Sequence, residues 1–137
     1  MLNKKYMNGY IANLEEITLN NTDFRRVLYT AKHSQLVLMA LKPGEEIGAE
    51  IHTLDQFFRF EAGMGKVVID GTEHLVKDGS GVIVPAGAKH NVINTSADAD
   101  LKLYTIYSPA EHKDGTVRAT KQKAIANEEH FDGITTE

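Results

Sequence analysis

The sequence predicts an all-β protein, a jelly-roll barrel with a short helix towards its C-terminal end. Three observations carry this. RRVLYTA, SQLVLMALKPG, FFRFEAG, GKVVIDG, GVIVPAG, HNVINTS and LKLYTIYSP are short β-branched or aromatic runs with a period near two. Turn signals separate them, at Pro43-Gly44, Gly63 to Gly65, Asp70-Gly71, Asp78-Gly79 and Pro85 to Gly87. After Pro109 the composition shifts towards Ala, Lys and Glu. Many short strands at regular spacing, with no repeat, favour an antiparallel sandwich or barrel.

Taken in order, residues 1–24 are an N-terminal segment in which Leu14, Ile17 and Leu19 suit a short helix and then a strand. The segment is expected to pack on the barrel or on a partner. Residues 25–108 hold the barrel strands. Within them KVVIDGTEHLV reads as a hairpin turning at Asp70-Gly71. Residues 109–137 form a loop and a helix. TKQKAIANEEHFDG, Thr120 to Gly133, has few apolar residues and ends on Asp-Gly, as a surface helix would.

Bulk properties narrow the function. At 137 residues the chain is one domain with room for a real core, and 42% hydrophobic and 25% charged residues are ordinary for a globular protein. A net charge of −4 offers no basic patch, so no nucleic-acid partner is expected. The absence of cysteine excludes disulfides, thiol catalysis and thiolate metal sites. No segment approaches the roughly 18 apolar residues of a membrane span, and the N-terminus lacks a signal-like apolar run. No membrane association and a cytoplasmic location are the expectations.

Four polar residues fit poorly in such strands. Glu50 and His52 are two apart and share a strand face. Gln56 has the parity to join them, with Phe58 and Phe60 on its own face. His90 opens the run HNVINTS directly after the turn VPAGAK. Any one of them alone reads as an exposed carboxylate or a hydrogen-bonded core side chain. Together they place four potential ligands at strand ends, facing inward, where unpaired polar groups are costly and a divalent cation would satisfy them.

Their spacing resembles the two motifs of the cupin superfamily. The first runs Gly44, five residues, Glu50-x-His52, three residues, Gln56, six residues, Gly63. The second runs Gly79, five residues, Pro85-x-Gly87, two residues, His90, three residues, Asn94. The interval from Met64 to Asp78 is short, as in small bacterial cupins. The resemblance implies a double-stranded β-helix barrel around a metal pocket, commonly as a homodimer. It carries the metal ligands onto Glu50, His52, Gln56 and His90. Two positions depart from the usual three histidines and one glutamate, with Glu50 at the first histidine and Gln56 at the glutamate. In content the set is similar to that of the phosphomannose isomerase branch, in a different order.

One carboxylate leaves a divalent ion with net positive charge and therefore electrophilic. With Zn, Mn or Ni, the implied chemistry is Lewis-acid catalysis on an oxygen-rich small molecule, of isomerase or lyase type. With Fe, Glu50, His52 and His90 supply the inventory of a dioxygenase. A non-catalytic cupin that binds a small ligand is the third reading. Tyr104, Tyr107 and His112 are candidate acid–base groups, although packing is the plainer role for the tyrosines and a loop position for His112. Phe58 and Phe60 would wall the substrate pocket. Phe57 and Arg59 belong to the outer face, and outward Ile51, Phe57 and Ile93 suit a dimer interface. His33, His74 and His130 read as surface or structural residues, and Asn94 as the brace of a turn.

Overall fold

The structure is a computed structural model and describes residues 6–137; positions 1–5 of the N-terminal segment lie outside the described residues. Two antiparallel sheets face each other. The strands are β1 (Arg25–Thr30), β2 (Gln35–Leu41), β3 (Glu50–Ile51), β4 (Asp55–Ala62), β5 (Met64–Ile69), β6 (Thr72–Lys77), β7 (Gly81–Val84), β8 (Lys89–Asn94), β9 (Leu101–Ser108) and β10 (Val117–Arg118). One sheet has the order β10-β1-β2-β9-β4-β7 and the other β3-β8-β5-β6. This is the jelly-roll barrel expected from the alternating runs.

Burial follows the pleat. Along β9, Leu101, Leu103, Thr105 and Tyr107 are buried while Lys102, Tyr104 and Ile106 are only partly so. Along β4 the inward set is Gln56, Phe58 and Phe60. These join Val37, Met39, Leu41, Val67, Val92 and others in a single core. Full burial of each large apolar side chain contributes roughly 1.5–3 kcal/mol.

The turns obey local chemistry. β5 and β6 form the expected hairpin, with Asp70 and Gly71 both at positive φ (45° and 83°). This is the two-residue hairpin turn for which Asp-Gly is suited. Asn94 is buried and braces the turn after β8: its Nδ2 donates to Leu41 O and Ala99 O, and its Oδ1 accepts from Ser96 N. Gly65 has no room for a side chain, because a Cβ there would sit 2.5 Å from Ile93 O.

The chain ends refine the expected boundaries. Helix α1 (Leu14–Asn20) is capped by Asn13, whose side chain accepts from Glu16 N, and Glu15 and Glu16 occupy its first turn. Lys102 Nζ donates to Leu19 O and Asn21 O, drawing its C-terminal end onto the barrel. Helix α2 (Lys121–Ala126) is shorter than the predicted 120–133 segment. The Asn127 backbone and side chain both cap Lys123 O and stop it. Beyond, Phe131 N donates to Glu111 O in the loop after β9, and Thr136 N donates to Thr30 O at the end of β1, tying the tail to the barrel. The segment after residue 108 also supplies β10, which pairs with β1 through Arg25↔Arg118 and Arg26↔Val117.

Candidate metal centre

Glu50 lies on the short strand β3 directly opposite His90 on β8. His52 follows just after β3, where Gly87 N holds its backbone carbonyl at 2.8 Å. Asp55 Oδ1 accepts from Ala86 N, so the Pro85–Gly87 turn is tied to the first motif from two sides. Turn and strand thus bring Glu50, His52 and His90 together, with one ligand atom from each within 4.8 Å of the others.

Hydrogen bonds settle which imidazole nitrogens face the centre. His90 Nδ1 is 3.0 Å from Ala88 O, which can only accept, so the proton sits on Nδ1. His90 Nε2 is buried without a partner and carries a lone pair. His52 Nδ1 lies 3.2 Å from Gln56 Oε1, while its Nε2 is 3.0 Å from Glu50 Oε2. Burial alone would lower the His52 pKa, but the hydrogen bond and negative charge of Glu50 outweigh it, and the pKa is raised. A cation entering the centre would take the place of the His52 Nε2–Glu50 Oε2 contact, competing with protons for the same atoms.

The donor set fits a divalent ion. Two atoms bound at right angles to one ion at about 2.1 Å stand about 3.0 Å apart, which is the Glu50–His52 separation. Two imidazole nitrogens and a carboxylate suit zinc, iron, nickel or manganese rather than calcium, which prefers oxygen donors. The orphaned Nε2 of His90 is the feature that an ion would satisfy.

Gln56 stands behind His52. Its Oε1 faces His52 Nδ1, and its Nε2 donates to Thr105 Oγ1 at 3.0 Å. Tyr107, across from Gln56 in the β4–β9 register, lines the same space with Ile47, Phe58 and Val92. That space totals about 200 Å³ and is nowhere wide enough for a water-sized sphere. Phe60 stacks on Phe58 in the core beneath it. The Glu50 side chain is 36% exposed against 11% for His52, so the centre opens to solvent past Glu50.

The three acid–base candidates separate. Tyr104 projects from the other face of β9, its ring 6.4 Å from that of Phe57. Tyr107 is buried, with its ring edge-on to His52 and its hydroxyl 3.2 Å from His112 Nε2. His112 lies in a loop, yet only 8% of it is exposed. Burial, then the Arg25 and His52 charges, lower its pKa to about 3, and burial raises that of Tyr107. Both are neutral across the physiological range. Thr105 Oγ1 accepts from Gln56, and Gln35 hydrogen-bonds the His112 backbone; neither contact is expected from the motif spacing. Both have inward strand parity, a signal that a polar residue in an apolar run offers.

Residues 37–107, just over half of the 137-residue chain, match the Cupin domain family. The chain belongs to the cupins. This cupin is 46% identical to the Bacillus subtilis protein YrkC over 127 residues, covering 88% of this chain and 68% of YrkC. It is 46% identical over 113 residues to protein L612 of Acanthamoeba polyphaga mimivirus, covering 79% of this chain and 70% of L612. The crystal structure of BH2720 from Bacillus halodurans matches with a TM-score of 0.84 and 42% identity, over 88% of this chain and 96% of that one. Among the described residues of this cupin, no helix is long and apolar enough to cross a membrane.

Proposed function

We propose that this cupin holds a divalent cation on Glu50, His52 and His90 and uses it as a Lewis acid on a small oxygen-donor molecule, in isomerase- or lyase-type chemistry. The observation that carries the reading is the buried, unpartnered Nε2 of His90, aimed at the Glu50–His52 pair. When bound, such an ion polarises a carbonyl or hydroxyl oxygen. The protein's part is to bind and shield. Phe58, Ile47 and Val92 form an apolar wall that excludes water and strengthens charge interactions at the centre. Glu50, on the open side, meets the incoming molecule first.

The two-histidine, one-carboxylate set also supports a second reading, an iron-dependent dioxygenase. Calorimetric titration with Zn²⁺, Mn²⁺, Ni²⁺ and anaerobic Fe²⁺, followed by oxygen-uptake assays of the iron form, separates the two. Tight binding without oxygen uptake on any keto acid or diol supports the Lewis-acid role. Substrate-dependent oxygen uptake favours the second reading. If no metal binds, a non-catalytic small-ligand role replaces both.

A further inference from the structure

We propose that Gln56 and the hydrogen-bonded pair Tyr107–His112, which faces it across the β4–β9 register, form a one-directional polar chain that positions His52 Nε2 towards the cation and couples the centre to the C-terminal segment. The inference rests on the metal-binding reading above and assigns roles to residues behind the ligands.

The direction of each link follows from what its atoms can do. Gln56 Oε1 only accepts, so His52 donates from Nδ1 and keeps Nε2 for the centre. The Gln56 amide nitrogen only donates; it serves Thr105 Oγ1 at 3.0 Å and flanks the Tyr107 hydroxyl. The Tyr107 O–H is therefore directed to His112 Nε2, 3.2 Å away. That leaves the His112 proton on Nδ1, facing the Glu129 carbonyl. His112 Nδ1 is buried and makes no hydrogen bond there. The donors of His52, Gln56 and Tyr107 all point away from the centre, so the His52–Gln56 bond is polarised outwards, which enriches the electron density on His52 Nε2.

Packing supports the same assignment. The Tyr107 ring is held edge-on between two imidazoles, 5.9 Å from His52 and 5.1 Å from His112. Gln35, buried in β2, spends both ends of its carboxamide on the His112 backbone. Its Nε2 donates to His112 O at 2.7 Å, and its Oε1 accepts from His112 N at 3.0 Å. Arg118 pairs with Glu129, holding that residue beside β10. His112 is thus held from both sides with its ring against Tyr107. A role confined to fastening the C-terminal segment would affect stability and leave His52 unchanged.

Three variants test the chain: Tyr107→Phe, His112→Phe and His112→Gln, the last keeping an acceptor for the Tyr107 hydroxyl. The probe is Zn²⁺ alone, competed against a chromophoric chelator, with ¹⁵N NMR of the His52 tautomer at alkaline pH as the second readout. Outer partners of a metal-bound histidine typically contribute 10–100-fold to affinity. Tyr107→Phe and His112→Phe act on that partner, Gln56, at one remove, and are expected to weaken Zn²⁺ by up to about 10-fold, the lower end of that range, and to turn His52 into a tautomer mixture, while His112→Gln restores most of the binding. If His112→Phe does not fold, Tyr107→Phe, which loses a single oxygen, carries the test. Unchanged affinity and an unchanged tautomer, with the wild type binding Zn²⁺, would overturn the chain and leave the metal reading intact. A wild type that binds no metal would overturn that reading, and the tautomer comparison would then decide separately whether the chain orders His52.

Discussion

Lowering the pH should unfold this protein partly through one residue, His112. Its imidazole is buried and neutral, with a pKa lowered to about 3 by burial and by the charges of Arg25 and His52. In the unfolded chain it titrates near 6.5, so below that pH the unfolded state binds a proton that the folded state refuses. The stability it contributes is complete above pH 6.5 and is lost as the pH falls towards about 3. Each unit below 6.5 costs about 1.4 kcal/mol, so moving from pH 7 to pH 4 removes about 3 kcal/mol through this site alone. That is a large share of the 5–15 kcal/mol typical of a domain. Carboxylates also titrate in this window, and the raised pKa of His52 acts with the opposite sign. The assay is therefore a difference: urea denaturation of wild type and His112→Gln at several pH values from 7 to 4. The variant is expected to be less stable at pH 7 but to lose about 3 kcal/mol less on acidification. Parallel curves would refute the claim that His112 is buried and neutral.

Other expectations follow from packing and from outward residues. Asn94→Ala removes donors to two backbone carbonyls and should cost at least 1–3 kcal/mol in chemical denaturation; an unchanged midpoint would contradict the bracing role. Gly65→Ala places a Cβ 2.5 Å from Ile93 O and 2.8 Å from Leu101 Cδ2, so a loss of about 1–3 kcal/mol is expected from overpacking between β5 and β8. A neutral result would mean the two strands separate more easily than their register implies. A homodimer covering Ile51, which is 65% exposed, should sediment at twice the 15.2 kDa chain mass at micromolar concentration. A monomer would rule that arrangement out.

The sequence made the fold legible because period-two runs and Asp-Gly turns are local signals. The sharing of a face by Glu50 and His52 is likewise local, and the spacing of His90 after Pro85 and Gly87 tied the second motif to the first. The links behind the ligands were less visible. Tyr107 and His112 meet because a loop folds back under Gln35, a contact 77 residues apart in sequence that no periodicity reports. The difference between Tyr104 and Tyr107 was readable in principle, since residues three apart point to opposite strand faces. Helix α2 ended early because Asn127 captures Lys123 O, and the chain beyond it bonds to the loop after β9 and to the end of β1. Its composition, Asn-Glu-Glu-His, did not distinguish those outcomes.

The most direct test of the account is elemental analysis of protein purified without chelator, in parallel with His52→Ala and His90→Ala. Near-stoichiometric divalent metal is expected in the wild type, lost in both variants while the strand spectrum stays unchanged. Equal metal content in all three proteins, or no metal in the wild type even after reconstitution, would contradict it.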